Sequence, residues 1–157
     1  MNDDQPRVTI RRRFDAPPDE VWAMWTDPAR FRTWYGPVGM SVPVAEMDLT
    51  VGGTRRIAMT TPDGSRTMWF TGVFKEISPP SRLIYTEAMC DEDGTLIPPA
   101  AMGMPEGTPD ITEVIVDLAA RDGGTEMTMT HIGVPEGSAG EGGWQQAFDA
   151  LADALNA

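Results

Sequence analysis

Few side chains in this sequence are both titratable and placed where a bound molecule could meet them. A general acid or base needs such a group inside a pocket that shifts its pKa. Strand alternation brings His131 onto one side with Met127 and Met129, and Arg12 onto the side of Val8, Ile10 and Phe14. Arg55, Glu46 and Asp48 are the other candidates for inner faces. His131 is the best placed, because its companions are apolar. A lone histidine near a strand end more often serves as a hydrogen-bonded structural group, so no catalytic residue is assigned and His131 stands as a weak candidate.

Other chemistries lack their residues. With a single His and a single Cys there is no metal-ligand cluster, and Asp91-Glu92-Asp93-Gly94 lacks the later acids of a calcium loop. No Gly-x-Ser-x-Gly elbow occurs. Gly137, Gly140, Gly142 and Gly143 suggest a phosphate cradle before a helix, but they have no Lys-Ser/Thr partner, and Glu136 and Glu141 would repel a phosphate. They read instead as a flexible lead into the last helix. No metal and no cofactor are expected.

The charge balance narrows the partners. Against 12 Lys and Arg stand 24 Asp and Glu, a formal net charge of −12. Nucleic acid and anionic membranes are held by clustered bases, and a field of this sign repels both. The one basic run, Arg11 to Arg13, lies in an alternating strand and splits between its two faces. A chain of 157 residues fits one domain, 1–157, and at this size roughly 70% of the unfolded surface is buried without help from disulfide or metal. Cys90 cannot pair within the chain, and the longest apolar runs fall far below the ~18 residues of a membrane span. Residues 1–6 are polar and acidic, carry no signal-peptide pattern, and are expected to form a flexible tail. A soluble cytoplasmic protein is expected.

The elements that must position any site follow from periodicity. Arg7 to Phe14 alternates as an opening strand. Pro17 and Pro18 suit a helix start, with Asp19 and Glu20 in its first turn and Val21, Trp22 and Trp25 on its apolar face. Phe31, Trp34 and Tyr35 mark a second short helix ended by Gly36 and Pro37. Strands are then predicted at Ser41 to Thr50, Thr54 to Thr61, Arg66 to Ile77, Arg82 to Met89, Ile111 to Ala120 and Thr125 to Ile132, divided by Gly, Pro and Asp turns. The chain ends in an amphipathic helix from Gly142 to Asn156, with Trp144, Ala147, Phe148, Leu151 and Leu155 on one face. The connection Cys90 to Asp110, with four prolines and three glycines, is too long for a turn. Its Leu96, Ile97, Met102 and Met104 suit a loop folded over a sheet edge, a lid or a subunit contact.

Several short motifs carry a resemblance across nearly the whole chain. They are Phe14-Asp15-Ala16-Pro17, Val21-Trp22, Thr26-Asp27-Pro28, Trp34-Tyr35-Gly36-Pro37, Asp48 with Gly52-Gly53, Pro62-Asp63-Gly64, Gly72 to Ile77, Arg82-Leu83-Ile84 and Gly143-Trp144. In this order the sequence resembles the START-like (SRPBCC) superfamily, and within it bacterial single-domain proteins similar to the C-terminal domain of the activator of the Hsp90 ATPase. The resemblance implies an α+β helix-grip fold of the START-like and Bet v 1-like kind. Its parts would be a seven-stranded antiparallel sheet, two short helices after strand one, and a long C-terminal helix packed over the sheet. It also implies a cavity between sheet and helix. Arg55 stands where relatives usually carry an apolar side chain.

The inner strand faces would line that cavity: Ile57 and Met59; Met68, Phe70 and Phe74; Val114, Val116 and Leu118; Met127, Met129 and His131. Trp34 and the helix residues Trp144, Phe148 and Leu151 complete the expected site. Thioethers suit a pocket that adapts to varied apolar shapes. The expected function is binding of a small, largely apolar molecule. The alternatives are a polyketide cyclase or dehydratase using His131 and an arginine, and a co-chaperone acting through its surface. The oligomeric state stays open, with a homodimer among the options.

Overall fold

Alternating apolar and polar side chains carry the chain through seven strands, which the computed structural model, describing residues 5–104 and 107–156, joins into one antiparallel sheet. Residues 1–4 of the expected tail lie outside the described residues, while the Pro6 carbonyl accepts from the Gly133 amide at 2.7 Å. The strands are β1 (Arg7–Phe14), β2 (Ser41–Met47), β3 (Thr54–Thr60), β4 (Thr67–Ser78), β5 (Arg82–Cys90), β6 (Ile111–Arg121) and β7 (Gly124–Ile132). Three helices accompany them: α1 (Pro18–Thr26), α2 (Pro28–Phe31) and α3 (Ala139–Leu155). The expected helix-grip architecture is the one observed.

The strand order is β1-β7-β6-β5-β4-β3-β2, so β1 and β2, neighbours in sequence, lie on opposite edges. Their connection must therefore cross the sheet, and it does so as α1 and α2. This crossing inserts Trp25, Phe31, Trp34 and Tyr35 between the sheet and α3. Trp25 sits among Trp34, Tyr85, Trp144 and Phe148 with ring centroids 4.8 to 6.4 Å apart, the separations of edge-to-face and offset aromatic pairs.

Local chemistry sets the helix ends. Pro17 and Pro18 start α1, with Asp19 and Glu20 at the positive end of its dipole. The second helix is shorter than its apolar spacing predicts: α2 stops at Phe31, and the amides of Trp34 and Tyr35 turn back onto the Phe31 carbonyl. Gly36 then takes φ +97°, where an added Cβ would lie 2.7 Å from the Met59 sulfur.

The last helix begins three residues before the predicted Gly142. Ser138 caps it by accepting from the Glu141 amide, and Glu141 Oε1 reaches back to the Gly137 amide at 2.7 Å. This is a Ser-x-x-Glu capping arrangement. It holds Gly140, Gly142 and Gly143 inside the helix, which corrects the expectation of a flexible lead. On the polar face, Arg12 bonds Gln145 Oε1 at 2.8 Å and pairs with Asp149 at 2.9 Å, while Gln146 Oε1 accepts from the Val38 amide. Both flanks of α3 are thereby tethered.

Candidate functional site

Between the first turns of α3 and the Tyr35-Gly36-Pro37 segment lies a cavity of about 170 Å³. Exposed Pro37, Ala139 and Gly140 form its mouth, and buried Tyr35, Met59, His131, Trp144 and Ala147 form its walls. Gly36 and Gly143 also line it, and among the described residues Glu87 supplies its only charged lining group. A second cavity of about 100 Å³ lies beyond Glu87 and His131, both of which it shares. Pro99, Met104, Thr108 and Pro109 of the long β5–β6 connection wall it, so this connection folds over the sheet end. Residues 105 and 106 and the side chain of Met102 lie outside the described residues.

Glu87 reaches the cavity because it alternates with Leu83 and Tyr85 on the concave side of β5. Its Oε2 accepts from the Tyr35 hydroxyl at 3.1 Å, and the Tyr35 oxygen lies 2.9 Å from the Tyr85 hydroxyl. Tyr35 has a single proton and spends it on Glu87, so Tyr85 donates to Tyr35. Behind them lies Arg55, 2% exposed, with Nη1 3.8 Å from Glu87 Oε2. Its guanidinium stacks 3.7 Å over the Tyr85 ring, and its Nη2 has no hydrogen-bond partner among the described residues. Cation–π attraction offsets part of that missing bond. Burial pushes the Glu87 carboxyl above its ordinary pKa, against the opposing pull of Arg55 and Tyr35. Burial, with the Glu87 charge second, also holds the Tyr35 hydroxyl well above its ordinary range.

His131 is fixed at both nitrogens. The Trp144 indole can only donate, so the 2.9 Å contact makes Nδ1 the acceptor and puts the ring proton on Nε2. Nε2–H then donates to Thr112 Oγ1 at 2.8 Å, and Thr112 donates to the Glu87 carbonyl at 3.1 Å. Burial pushes the imidazole pKa down to about 4. This is a neutral, fully bonded histidine, with no nitrogen left to exchange a proton with a ligand.

Of the residues expected to line the site, Met59, His131 and Trp144 meet at the cavity under α3, and Phe70 lines the second. Trp34, Ile57, Phe74, Val114, Val116, Met127, Met129, Phe148 and Leu151 are all buried but belong to the packed core around Trp25. Met68 is half-buried near the β3–β4 turn. Arg12 anchors α3, Glu46 pairs with Arg56 at 3.5 Å, and Asp48 accepts from Thr50 in the β2–β3 turn. Sequence reasoning missed Tyr35, Glu87, Tyr85 and the small residues of α3. Two opposite charges, Arg55 and Glu87, on otherwise apolar strand faces were the available signal.

Sheet, crossing helices and gripping C-terminal helix define a START-like protein. The chain belongs to the Activator of Hsp90 ATPase homolog 1-like protein family, which matches residues 15–156. It is similar to a solved structure from Chromobacterium violaceum at 25% identity, covering 96% of this chain and 97% of the other with a TM-score of 0.78. A Rhodobacter sphaeroides structure is 28% identical over 96% of this chain and 93% of its own, with a TM-score of 0.75. A Silicibacter pomeroyi protein carrying the same family name shares the fold at 21% identity, with 96% and 97% coverage and a TM-score of 0.73. Curated proteins show no significant sequence match. No helix among the described residues is long and apolar enough to cross a membrane.

Proposed function

We propose that this protein binds a small, largely apolar molecule in the cavity beneath the start of α3. The observation that carries this reading is the cavity itself: about 170 Å³ of space, walled by aromatic, thioether and small side chains around one carboxylate. A concave, largely apolar cleft with few placed polar groups is the usual form of a small-molecule site. Binding fits better than acid–base catalysis by His131, whose two nitrogens are both committed.

The test is a titration with fluorobenzene followed by ¹⁹F NMR, with Ala147→Leu as the filled-cavity control. Saturable binding by the parent, lost in the variant, supports the site. Absence of binding, or equal binding by both, overturns it.

A further inference from the structure

The cavity offers a ligand one polar contact, and its chemistry is specific. Glu87 Oε2 is occupied by Tyr35, itself bonded to Tyr85, and faces the Arg55 guanidinium. Oε1 accepts no hydrogen bond from the described residues, while the carboxylate is 13% exposed and lines the cavity. His131 cannot compete for a ligand, since Trp144 and Thr112 hold its nitrogens. Oε1 is not among the buried atoms left without a partner, so it faces the cavity and its water, and a ligand donor placed there forms a charge-assisted hydrogen bond in the water's stead.

Charge then selects among donors. Arg55 and Glu87 cancel each other inside the fold. An added ammonium would leave one uncompensated positive charge in a low-dielectric site, and an added carboxylate would face Glu87. A neutral donor disturbs neither partner. Size selects as well, because a cavity of ~150 Å³ elsewhere takes up benzene, and this one holds about 170 Å³.

Resting on the binding function above, we infer that the cavity takes a neutral single-ring molecule bearing a hydroxyl donor, of the phenol class. The hydroxyl bonds Glu87 Oε1, and the ring lies among Tyr35, Met59 and Trp144.

Isothermal titration of the full chain at neutral pH with phenol, anisole, toluene and benzylammonium tests this. Phenol should bind roughly ten- to a hundredfold more tightly than anisole or toluene, the range for a hydrogen bond to a charged group, and more tightly than benzylammonium. The paired substitution Arg55→Met with Glu87→Met replaces both buried charges by apolar groups of similar length, an exchange that folds often tolerate. It should lose the preference for phenol over toluene. In Glu87→Gln, which retains an uncharged acceptor, that preference should shrink severalfold. If the parent binds toluene or anisole as tightly as phenol, the donor selectivity falls while the binding site stands. Tightest binding of benzylammonium, or a phenol preference that survives the paired substitution, also overturns the inference. If no probe binds at all, the binding function falls with it.

Discussion

The Trp144 indole nitrogen donates to Nδ1 of His131 across 2.9 Å, tying the first turns of α3 to the end of β7. From there Thr112 carries the connection to the backbone of β5 at Glu87. One histidine thus holds together the helix, two strands and the residue that gives the cavity its charge. Protonating Nδ1 would put a second donor against the indole N–H and break the link.

That arrangement predicts a pH dependence. The folded pKa of His131 is about 4, below the ordinary ~6.5. The unfolded chain therefore takes up a proton first as pH falls. The stabilisation is complete above ~6.5, declines by at most ~1.4 kcal/mol per pH unit, and is gone below about 4, a total on the order of 3 kcal/mol. Glu87, raised by burial, acts in the opposite sense, stabilising at low pH and losing that contribution as pH rises past its ordinary value. The difference between parent and His131→Gln isolates the histidine. Urea titrations from pH 7 to 4 should show a shallower loss in the variant, and parallel losses would show that His131 titrates normally in the fold.

Filling the cavity should separate binding from stability. Ala147 is buried on the cavity wall one turn beyond Gly143. Ala147→Leu adds three carbons to existing space, and both residues favour helices. Stability should stay within ~1 kcal/mol, because added volume is costly only in a packed interior. Binding of fluorobenzene by ¹⁹F NMR should weaken at least about tenfold. A variant that still binds would place the ligand elsewhere.

Strand alternation was enough to read most of the fold. The sets Val114, Val116, Leu118 and Met127, Met129, His131 do share the concave face, paired across β6 and β7 as Val116 with Met129 and Val114 with His131. What periodicity does not encode is strand order. Only the placement of β1 and β2 on opposite edges reveals that α1 and α2 cross the sheet and fill its centre with Trp25. Space on the concave side is therefore divided, with cavities near Glu87 and His131 and another beside Met68 and Phe70. The α3 capping was legible, since Ser138 and Glu141 have the right spacing, but the glycines around them masked it.

Those glycines make a graded set. An added Cβ at Gly142 meets nothing within 4 Å, whereas at Gly140 it would lie 2.7 Å from Val134 Cγ1. Gly142→Ala should raise stability by ~0.5–1 kcal/mol through reduced backbone entropy in the unfolded chain. Gly140→Ala should return less, or destabilise, because Val134 must shift. Thermal melts of the two variants check the order, and equal gains would mean that the start of α3 is looser than its capping implies.

The sharpest distinction between core and cavity lies at Val116. Its side chain is 1% exposed at the middle of β6, beside Met129 and Leu83 on the neighbouring strands. The crossing helix α1 packs against β6, and Val116 belongs to the same buried core cluster as Trp25. Close-packed interiors resist added carbons, and Val116→Phe should cost ~1–3 kcal/mol in a reversible denaturant titration. Val116 does not line the cavity. Fluorobenzene affinity should therefore stay within about threefold, as expected for sites without shared partners. This is the opposite pattern to Ala147→Leu, which should spare stability and weaken binding. If Val116→Phe instead leaves stability unchanged and eliminates binding, the ligand space extends along the sheet and the Trp25 cluster must open to admit it.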